Sequence, residues 1–439
     1  MNKLSMTEAA ALIKRKELSP VELLKATLNH IYETDGSLEA WEQLVPECAM
    51  EKAQHAEDQL MCSNVNELGP LHGIPFGVKD VIDTKGVVTA AGFPQFKNRT
   101  PKKDAKVIAH LKSAGAILIG KNVTTQFAQN PPSRTRNPIN NQVTPGGSSS
   151  GSAVAVAAHQ VSVSIGTQTG GSVVRPAAYN GIIGFKPSYG RIDNHGVFPV
   201  ARSLDHVGVL VRSVADARAF LSVAGREALV PTHDFQSEER VKTLHFGLID
   251  EAMNLCQAEV RAGVEQALQG LEAADIKIEL TDLGVSWDLL QATHKVIMRA
   301  EASAVHRELI EHYPESYENE LLVNLRAGLL IPASSYIRAL RSQQSARQKM
   351  QAKLVGLDGF VLPTVSNVAP NLSEQTTGDR SFQNPFSLSG LPAITLPCGV
   401  SQNGLPIGLQ IVGNFGHDYK LLQLANRVEQ YLQNVGIIS

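Results

Sequence analysis

Two tracts rich in glycine and serine constrain this chain more than anything else in it. They are Pro145-Gly146-Gly147-Ser148-Ser149-Ser150-Gly151-Ser152 and Gly166-Thr167-Gln168-Thr169-Gly170-Gly171-Ser172. Glycine fits where the backbone bends sharply or lies close to another group, and it costs order elsewhere. From Ser152 to Ala158 small residues suit a tightly packed helix, and Val161 to Ile165 runs as a strand into the second tract. Sharp turns of this kind, each with serine hydroxyls and unshielded N–H groups, describe a nucleophile beside an anion-binding nest.

Taken alone, either tract also fits a flexible turn or a phosphate loop. A P-loop requires Gly-Lys-Ser/Thr at a fixed spacing after its first glycine, and that is absent. Lys79 shifts the balance. It interrupts the apolar run from Ile74 to Ile82, next to Asp80. A lysine drawn into apolar surroundings loses proton affinity and can act as a neutral base near pH 7. The alternatives for a lone lysine are a side chain reaching out to solvent, or a pair with Asp80. Beside two serine-bearing turns, the base is the preferred reading. Amide hydrolysis needs a nucleophile, a proton shuttle and donors for the tetrahedral oxyanion. Ser172, after Thr169-Gly170-Gly171, suits the nucleophile, and Ser148 suits the relay.

The rest of the chain alternates helix and strand signals. Ser19-Pro20-Val21-Glu22 is a capping box with proline at the first helical position, and Ser5 with Glu8 is a weaker version. Leu71 to Val78 is a short apolar strand. Asp104 to Ala114 is an amphipathic helix with Val107, Ile108, Leu111 and Ala114 on one face, followed by a buried strand over Ala116 to Ile119. Residues 127 to 145 form a loop rich in Pro, Asn, Ser and Thr. Gly225 to Arg240 is polar and loop-like, Leu244 to Ile249 a strand, and Gln257 to Ala274 a helix. A helical stretch runs on to about Lys353, and strand–turn character resumes over Gly359 to Thr364. This alternation argues for α/β layers. No linker or repeat divides the chain, so one domain over 1–439 is expected, with 225–355 open to being a helical cap.

Composition closes off several functions. The formal net charge of −2, without blocks of like charge, gives no footing for nucleic acid or a membrane surface. Cys48, Cys62, Cys256 and Cys398 are far apart and read as reduced thiols of a cytoplasmic protein. Met1 to Ala11 has no apolar core or cleavage site of a secretory signal. The stretch from Ala153 to Ile165 is too short and too polar to span a bilayer.

The ordered motifs together resemble the amidase signature family. They begin with Gly69-Pro70-Leu71-His72-Gly73-Ile74-Pro75 and Val78-Lys79-Asp80, then Ala114-Gly115-Ala116 and Ile119-Gly120-Lys121. Gly146-Gly147-Ser148-Ser149, Gly170-Gly171-Ser172, Gly184-Phe185-Lys186-Pro187 and Ser203-Leu204-Asp205 continue the pattern. Gly390-Leu391-Pro392-Ala393, Pro397-Cys398-Gly399 and Gly404-Leu405-Pro406-Ile407-Gly408-Leu409-Gln410 complete it, with the densest matches over 69–212 and 359–425. The resemblance implies a single α/β domain whose large mixed β-sheet is covered by helices on both faces. It also implies a Ser-cisSer-Lys triad: Ser172 the nucleophile, Ser148 the bridging serine after a cis bond, and Lys79 the base. The N–H groups of Thr169, Gly170, Gly171 and Ser172 would form the oxyanion hole. No cofactor or metal is implied, the partner is a small-molecule amide, and a homodimer is left open.

Two departures from the family pattern bear on substrate choice. Gln168 stands where many members have aspartate. Arginine, usual two places after the nucleophile, comes one later as Arg175, with Val174 in its place. Arg175 is expected either to grip a substrate carboxylate or carbonyl as a bidentate fork, or to form a structural salt bridge.

Rival readings fare worse. Gly147-Ser148-Ser149-Ser150-Gly151 matches G-x-S-x-G, but the approach Asn141-Gln142-Val143-Thr144-Pro145 is a poor strand for a nucleophile elbow. There is no H-E-x-x-H, and His306 and His312 lack the i, i+4 spacing of helical zinc ligands. Within the family, the amidase subunit of a tRNA-dependent amidotransferase is the alternative. The loop between Phe127 and Gly146 looks shorter than that subunit's and lacks its usual residues, which favours a free-standing amidase. A non-catalytic scaffold would have little reason to keep Lys79, Ser148 and Ser172 together.

Overall fold

Helices and strands alternate along the chain in a computed structural model that describes residues 1–64, 67–129, 131–226 and 244–437. The chain opens with α1 (Met6–Lys14), α2 (Pro20–Leu38), β1 (Trp41–Leu44) and α3 (Pro46–Cys62). Next come β2 (Pro75–Lys79), α4 (Lys106–Ser113), β3 (Ile117–Asn122), α5 (Ser150–Ala157) and β4 (Val163–Gln168). They are followed by α6 (Val174–Tyr179), β5 (Ile183–Lys186), β6 (His206–Val211) and α7 (Val214–Ala224). The second half holds β7 (His245–Ile249), α8 (Asp250–Leu255), α9 (Ala258–Ala273), β8 (Lys277–Thr281) and α10 (Trp287–His312). It ends with α11 (Asn319–Gly328), α12 (Ala333–Lys353), β9 (Gly359–Pro363), α13 (Asn384–Ser389), β10 (Ala393–Val400), β11 (Pro406–Val412) and α14 (Asp418–Asn434).

Local chemistry accounts for the helix starts. Ser19 accepts the N–H groups of Val21 and Glu22 ahead of Pro20, which satisfies donors that no earlier turn can reach. The weaker sequence signal turns out to be the complete one: Ser5 and Glu8 form a reciprocal capping box at α1. Most of the polar tract expected over 225–240 lies outside the described residues.

Among the described residues, eleven strands form one mixed sheet in the order β1-β3-β2-β4-β6-β5-β10-β11-β9-β7-β8. The segment 225–355 contributes β7 and β8 to that sheet as well as α10, α11 and α12. Alternate residues of each strand feed opposite faces. Ile117 and Ile119 pack with Val21, Leu24, Ala53 and Val154 from α2, α3 and α5. Leu118, Val163, Ile165, Val207 and Val209 pack on the other face with Ile13, Ile108 and Phe220 from α1, α4 and α7. Fully burying a side chain of this size contributes about 1.5–3 kcal/mol, so these two layers dominate the stability.

Strands β3, β2 and β4, second to fourth in the sheet order, run parallel. Their carboxyl ends, at Asn122, Lys79 and Gln168, therefore emerge on one edge, the place where open α/β sheets present their ligand sites. A cavity of about 570 Å³, bounded by His72, Lys112 and Ile117, opens at the other end of these strands and holds none of the candidate residues.

Candidate active site

Lys79 is the last residue of β2 and is wholly buried. Its Nζ lies 2.7 Å from Ser148 Oγ and 2.9 Å from Thr167 Oγ1. Asp80 does not take it as a partner. The next residue along a strand turns to the opposite side, and there Asp80 lies 3.6 Å from Lys121 Nζ and accepts the N–H groups of Ala90 and Ala91. Burial pushes the Lys79 ammonium well below the usual lysine range; the charge of Asp205 opposes this and that of Arg175 adds to it.

The first tract carries Ser148 to Lys79. The Gly147–Ser148 peptide bond is cis, and Gly146 has φ of +75°, a left-handed conformation that glycine adopts without strain. Thr124 Oγ1 donates to the Ser148 carbonyl at 3.1 Å. Ser149 Oγ accepts from Thr167 N and donates to Thr167 O, both at 3.3 Å, so the start of α5 is tied to the end of β4. Gly151 allows the close approach: a methyl group there would sit 2.5 Å from Val123 N and nearer still to the Ala40 carbonyl.

The second tract is turned so that its carbonyls face the protein. Thr169 O accepts from His294 Nε2 at 2.9 Å, Gly170 O from Ser387 Oγ at 2.6 Å, and Gly171 O from Arg175 N at 2.9 Å. Among the described residues no hydrogen bond occupies the N–H groups of Thr169, Gly170, Gly171 or Ser172. A run of N–H groups left over on one side is an anion nest. The Thr169 hydroxyl donates to Asp205 Oδ1 at 2.5 Å, and Asp205 Oδ2 accepts from Val200 N and Ala201 N. Burial lifts the Asp205 carboxyl to about 6, against the pull of those donors.

Gln168 and Arg175 both have protein partners. Gln168 Oε1 accepts from Val173 N at 2.9 Å and Val174 N at 3.1 Å, capping α6, while its Nε2 donates to Ser387 Oγ at 3.1 Å. An aspartate could supply the capping oxygen but not that donor. Arg175 Nη1 donates to Gly378 O at 2.5 Å, and Nη2 donates to Gly147 O at 2.6 Å and Thr377 Oγ1 at 3.0 Å. Among the described residues, its Nε alone has no partner. The guanidinium thus ties the peptide ahead of Ser148 to the 377–378 turn. No carboxylate lies within ion-pair distance of it among the described residues. Ser172 sits between β4 and α6, half-buried, with its hydroxyl in no hydrogen bond among the described residues, including none to Ser148.

Sequence reasoning missed Thr167, His294 and Ser387, and it quoted Asp205 without giving it a role. Thr167 was legible in principle, as a polar residue ending a buried strand. Ser387 and His294 come from α13 and α10, more than 100 residues away, and no local signal marks them. Among the remaining histidines, His306 is buried against the Tyr317 hydroxyl and His312 caps its own helix turn. No group of three or more His, Cys, Asp or Glu able to hold a metal occurs among the described residues.

A buried lysine on a serine, beside unused N–H groups and a free serine hydroxyl, has the parts for acyl transfer. The sequence profile of the Amidase family matches residues 22–422, and the chain belongs to that family of amide-hydrolysing enzymes. It is 30% identical to the A subunit of the glutamyl-tRNA(Gln) amidotransferase of Natranaerobius thermophilus, over 99% of this chain and 96% of that protein. The corresponding protein of Geobacter metallireducens, which bears the same name, is 32% identical over 97% of each chain. Among solved structures, a crystal structure of an amidase superposes with TM-score 0.88 at 30% identity, over 97% of this chain and 99% of the other. The peptide amidase of Stenotrophomonas maltophilia superposes with TM-score 0.82 at 28% identity, over 98% and 97%. No helix among the described residues is long and apolar enough to cross a membrane.

Proposed function

We propose that this protein is a single-domain, free-standing amidohydrolase that cleaves a carboxylic amide to an acid and ammonia through an acyl-enzyme on Ser172. The observation that carries this reading is the wholly buried Lys79, 2.7 Å from Ser148, with its proton affinity lowered by burial. Neutral Lys79 takes the proton of Ser148, which takes that of Ser172 as the Ser172 oxygen attacks the amide carbon. The oxyanion is stabilised by the N–H groups of Thr169, Gly170, Gly171 and Ser172; losing one donor of such a hole costs roughly 3–4 kcal/mol. The proton returns along the same relay to the leaving nitrogen, and ammonia departs. Water then repeats the route and releases the acid. Thr167 shares Lys79 with Ser148, and Asp205 holds Thr169, so both act as positioning residues.

Ammonia release and labelling of Ser172 by a fluorophosphonate test this together. Ser172→Ala should abolish both, and appreciable hydrolysis by that variant would falsify the assignment.

A second reading follows from the 30–32% identity to the amidotransferase proteins: hydrolysis of glutamine for a partner enzyme. The free-standing reading is favoured because the Natranaerobius alignment runs over 478 positions against 439 residues here, so that relative carries insertions this chain lacks. Glutaminase activity that appears only with a copurifying partner would reverse the order.

A further inference from the structure

Arg380 stands against the nest with its charge unspent. A methyl group at Gly170 would lie 2.9 Å from Arg380 Cδ, so the arginine stem packs on the glycine that bears one of the free N–H groups, and Nε is bonded to that same carbon. The side chain is densely surrounded by protein, yet it keeps part of its surface open, as in a crevice. Among the described residues its guanidinium makes no hydrogen bond and has no carboxylate within ion-pair distance. The charges that reach it are those of Asp379, Arg299 and Glu320. Asp379 is already taken by Ser366 Oγ, Ser381 N and Ser381 Oγ, and Arg299 by Asn324.

A guanidinium enclosed by protein without an acceptor is costly unless something supplies one. Arg175, the arginine that the sequence marked for this task, has two of its three nitrogens on backbone carbonyls. Arg380 has all of its donors unused among the described residues. On the same wall, the buried Gln383 Oε1 and Asn384 Oδ1 have no hydrogen-bond partner among the described residues. A methyl group at Gly171 would sit 2.5 Å from Gln383 Oε1, and one at Gly170 would sit 3.0 Å from Asn384 Oδ1. The wall of the nest therefore offers an anion-binding fork and two acceptors for N–H.

We infer that the substrate is a primary amide whose acyl part carries a carboxylate, gripped by the Arg380 guanidinium while Gln383 and Asn384 accept the amide N–H groups. The inference rests on the amidohydrolase reading above. Arginine suits the task because its planar fork meets a carboxylate with two parallel hydrogen bonds.

The test compares succinamate with 4-oxopentanamide, which replaces the carboxylate by an uncharged methyl ketone of similar shape, in ammonia release. The wild-type protein should prefer succinamate at least tenfold in kcat/KM, equivalent to about 1.4 kcal/mol. Arg380→Gln should bring the ratio close to one, and Arg380→Lys should restore part of it. An unchanged ratio in Arg380→Gln overturns the inference. An equal fall for both amides does so too, since it would mean that the arginine acts on the shared oxyanion. A wild-type preference for the neutral amide also overturns it. Fluorophosphonate labelling of Ser172 reports the amidohydrolase reading separately, and labelling of Arg380→Gln shows that the nucleophile remains assembled. If no amide is turned over, calorimetric titration of Ser172→Ala with succinamate still decides, because binding that Arg380→Gln does not weaken tenfold refutes the anchor.

Discussion

Arg175→Ala separates the two arginines near the site. In the folded protein the guanidinium serves Gly147 O, Gly378 O and Thr377 Oγ1. Its removal leaves two carbonyls without their donor, at about 1–3 kcal/mol for each buried group left unsatisfied. Against this stands the cost of the buried cation. Burial lowers the Arg175 guanidinium from the usual arginine range to about 10, which corresponds to about 3 kcal/mol that alanine no longer bears. The lost packing of the arginine stem adds to the destabilising side. The balance is a destabilisation of about 1–3 kcal/mol, measurable by urea denaturation at pH 7.5. Because Gly147 precedes Ser148, kcat should fall as well, for charged and neutral amides alike. Arg175→Lys keeps the charge but replaces a planar fork by a point donor, so it should recover only part of the loss. The reasoning is refuted if Arg175→Ala unfolds at the wild-type urea concentration while the succinamate preference shifts tenfold. That result would make Arg175 the substrate clamp and Arg380 a bystander.

Further outcomes follow from the same geometry. The rate should rise with pH as Lys79 loses its proton, with a midpoint below the usual lysine range; a flat profile from about pH 5 to 9 would count against the lysine as base. Asp205 holds its proton in the folded state up to about pH 6, above its unfolded value of 3.8, so its contribution makes stability fall as pH rises through that window. The loss amounts to about 3 kcal/mol. Asp205→Asn, which has no such titration, should narrow the difference between denaturation midpoints at pH 4 and pH 7; an unaltered difference would show that the carboxyl titrates normally. Gly151→Ala forces a methyl group into the Val123 and Ala40 backbone and should cost about 1–3 kcal/mol or more, read as a lowered Tm. Wild-type stability in that variant would mean that α5 does not pack so closely on the loop after β3.

The elements around the site were legible because their causes are local. Small residues at 145–152 and 166–172 specify turns, and the apolar runs flanking them specify what the turns connect. Partnerships were not legible. Asp80 adjoins Lys79 in sequence and was one of the alternative partners for it, yet strand alternation sends it to Lys121. For Arg175 the sequence left a substrate fork and a structural salt bridge both open, and the 377–378 turn, some 200 residues onward, gives its guanidinium uncharged oxygen acceptors instead. Gln168 looked like a missing charge in the nest. Its amide proves to cap α6 and reach Ser387 at once.

Sequence alone determined the α/β layering, the two sharp turns, the apolar setting of Lys79 and the family. These depend on residue type and spacing within a few positions, where sterics and burial act directly. Only the tertiary structure decided which carbonyls are occupied, which N–H groups are left over, and which arginine keeps its charge free. Those outcomes depend on segments that meet through the sheet from opposite ends of the chain. Hydrogen-bond capacity is filled by whatever arrives next to it, and one chain of letters does not say what that will be.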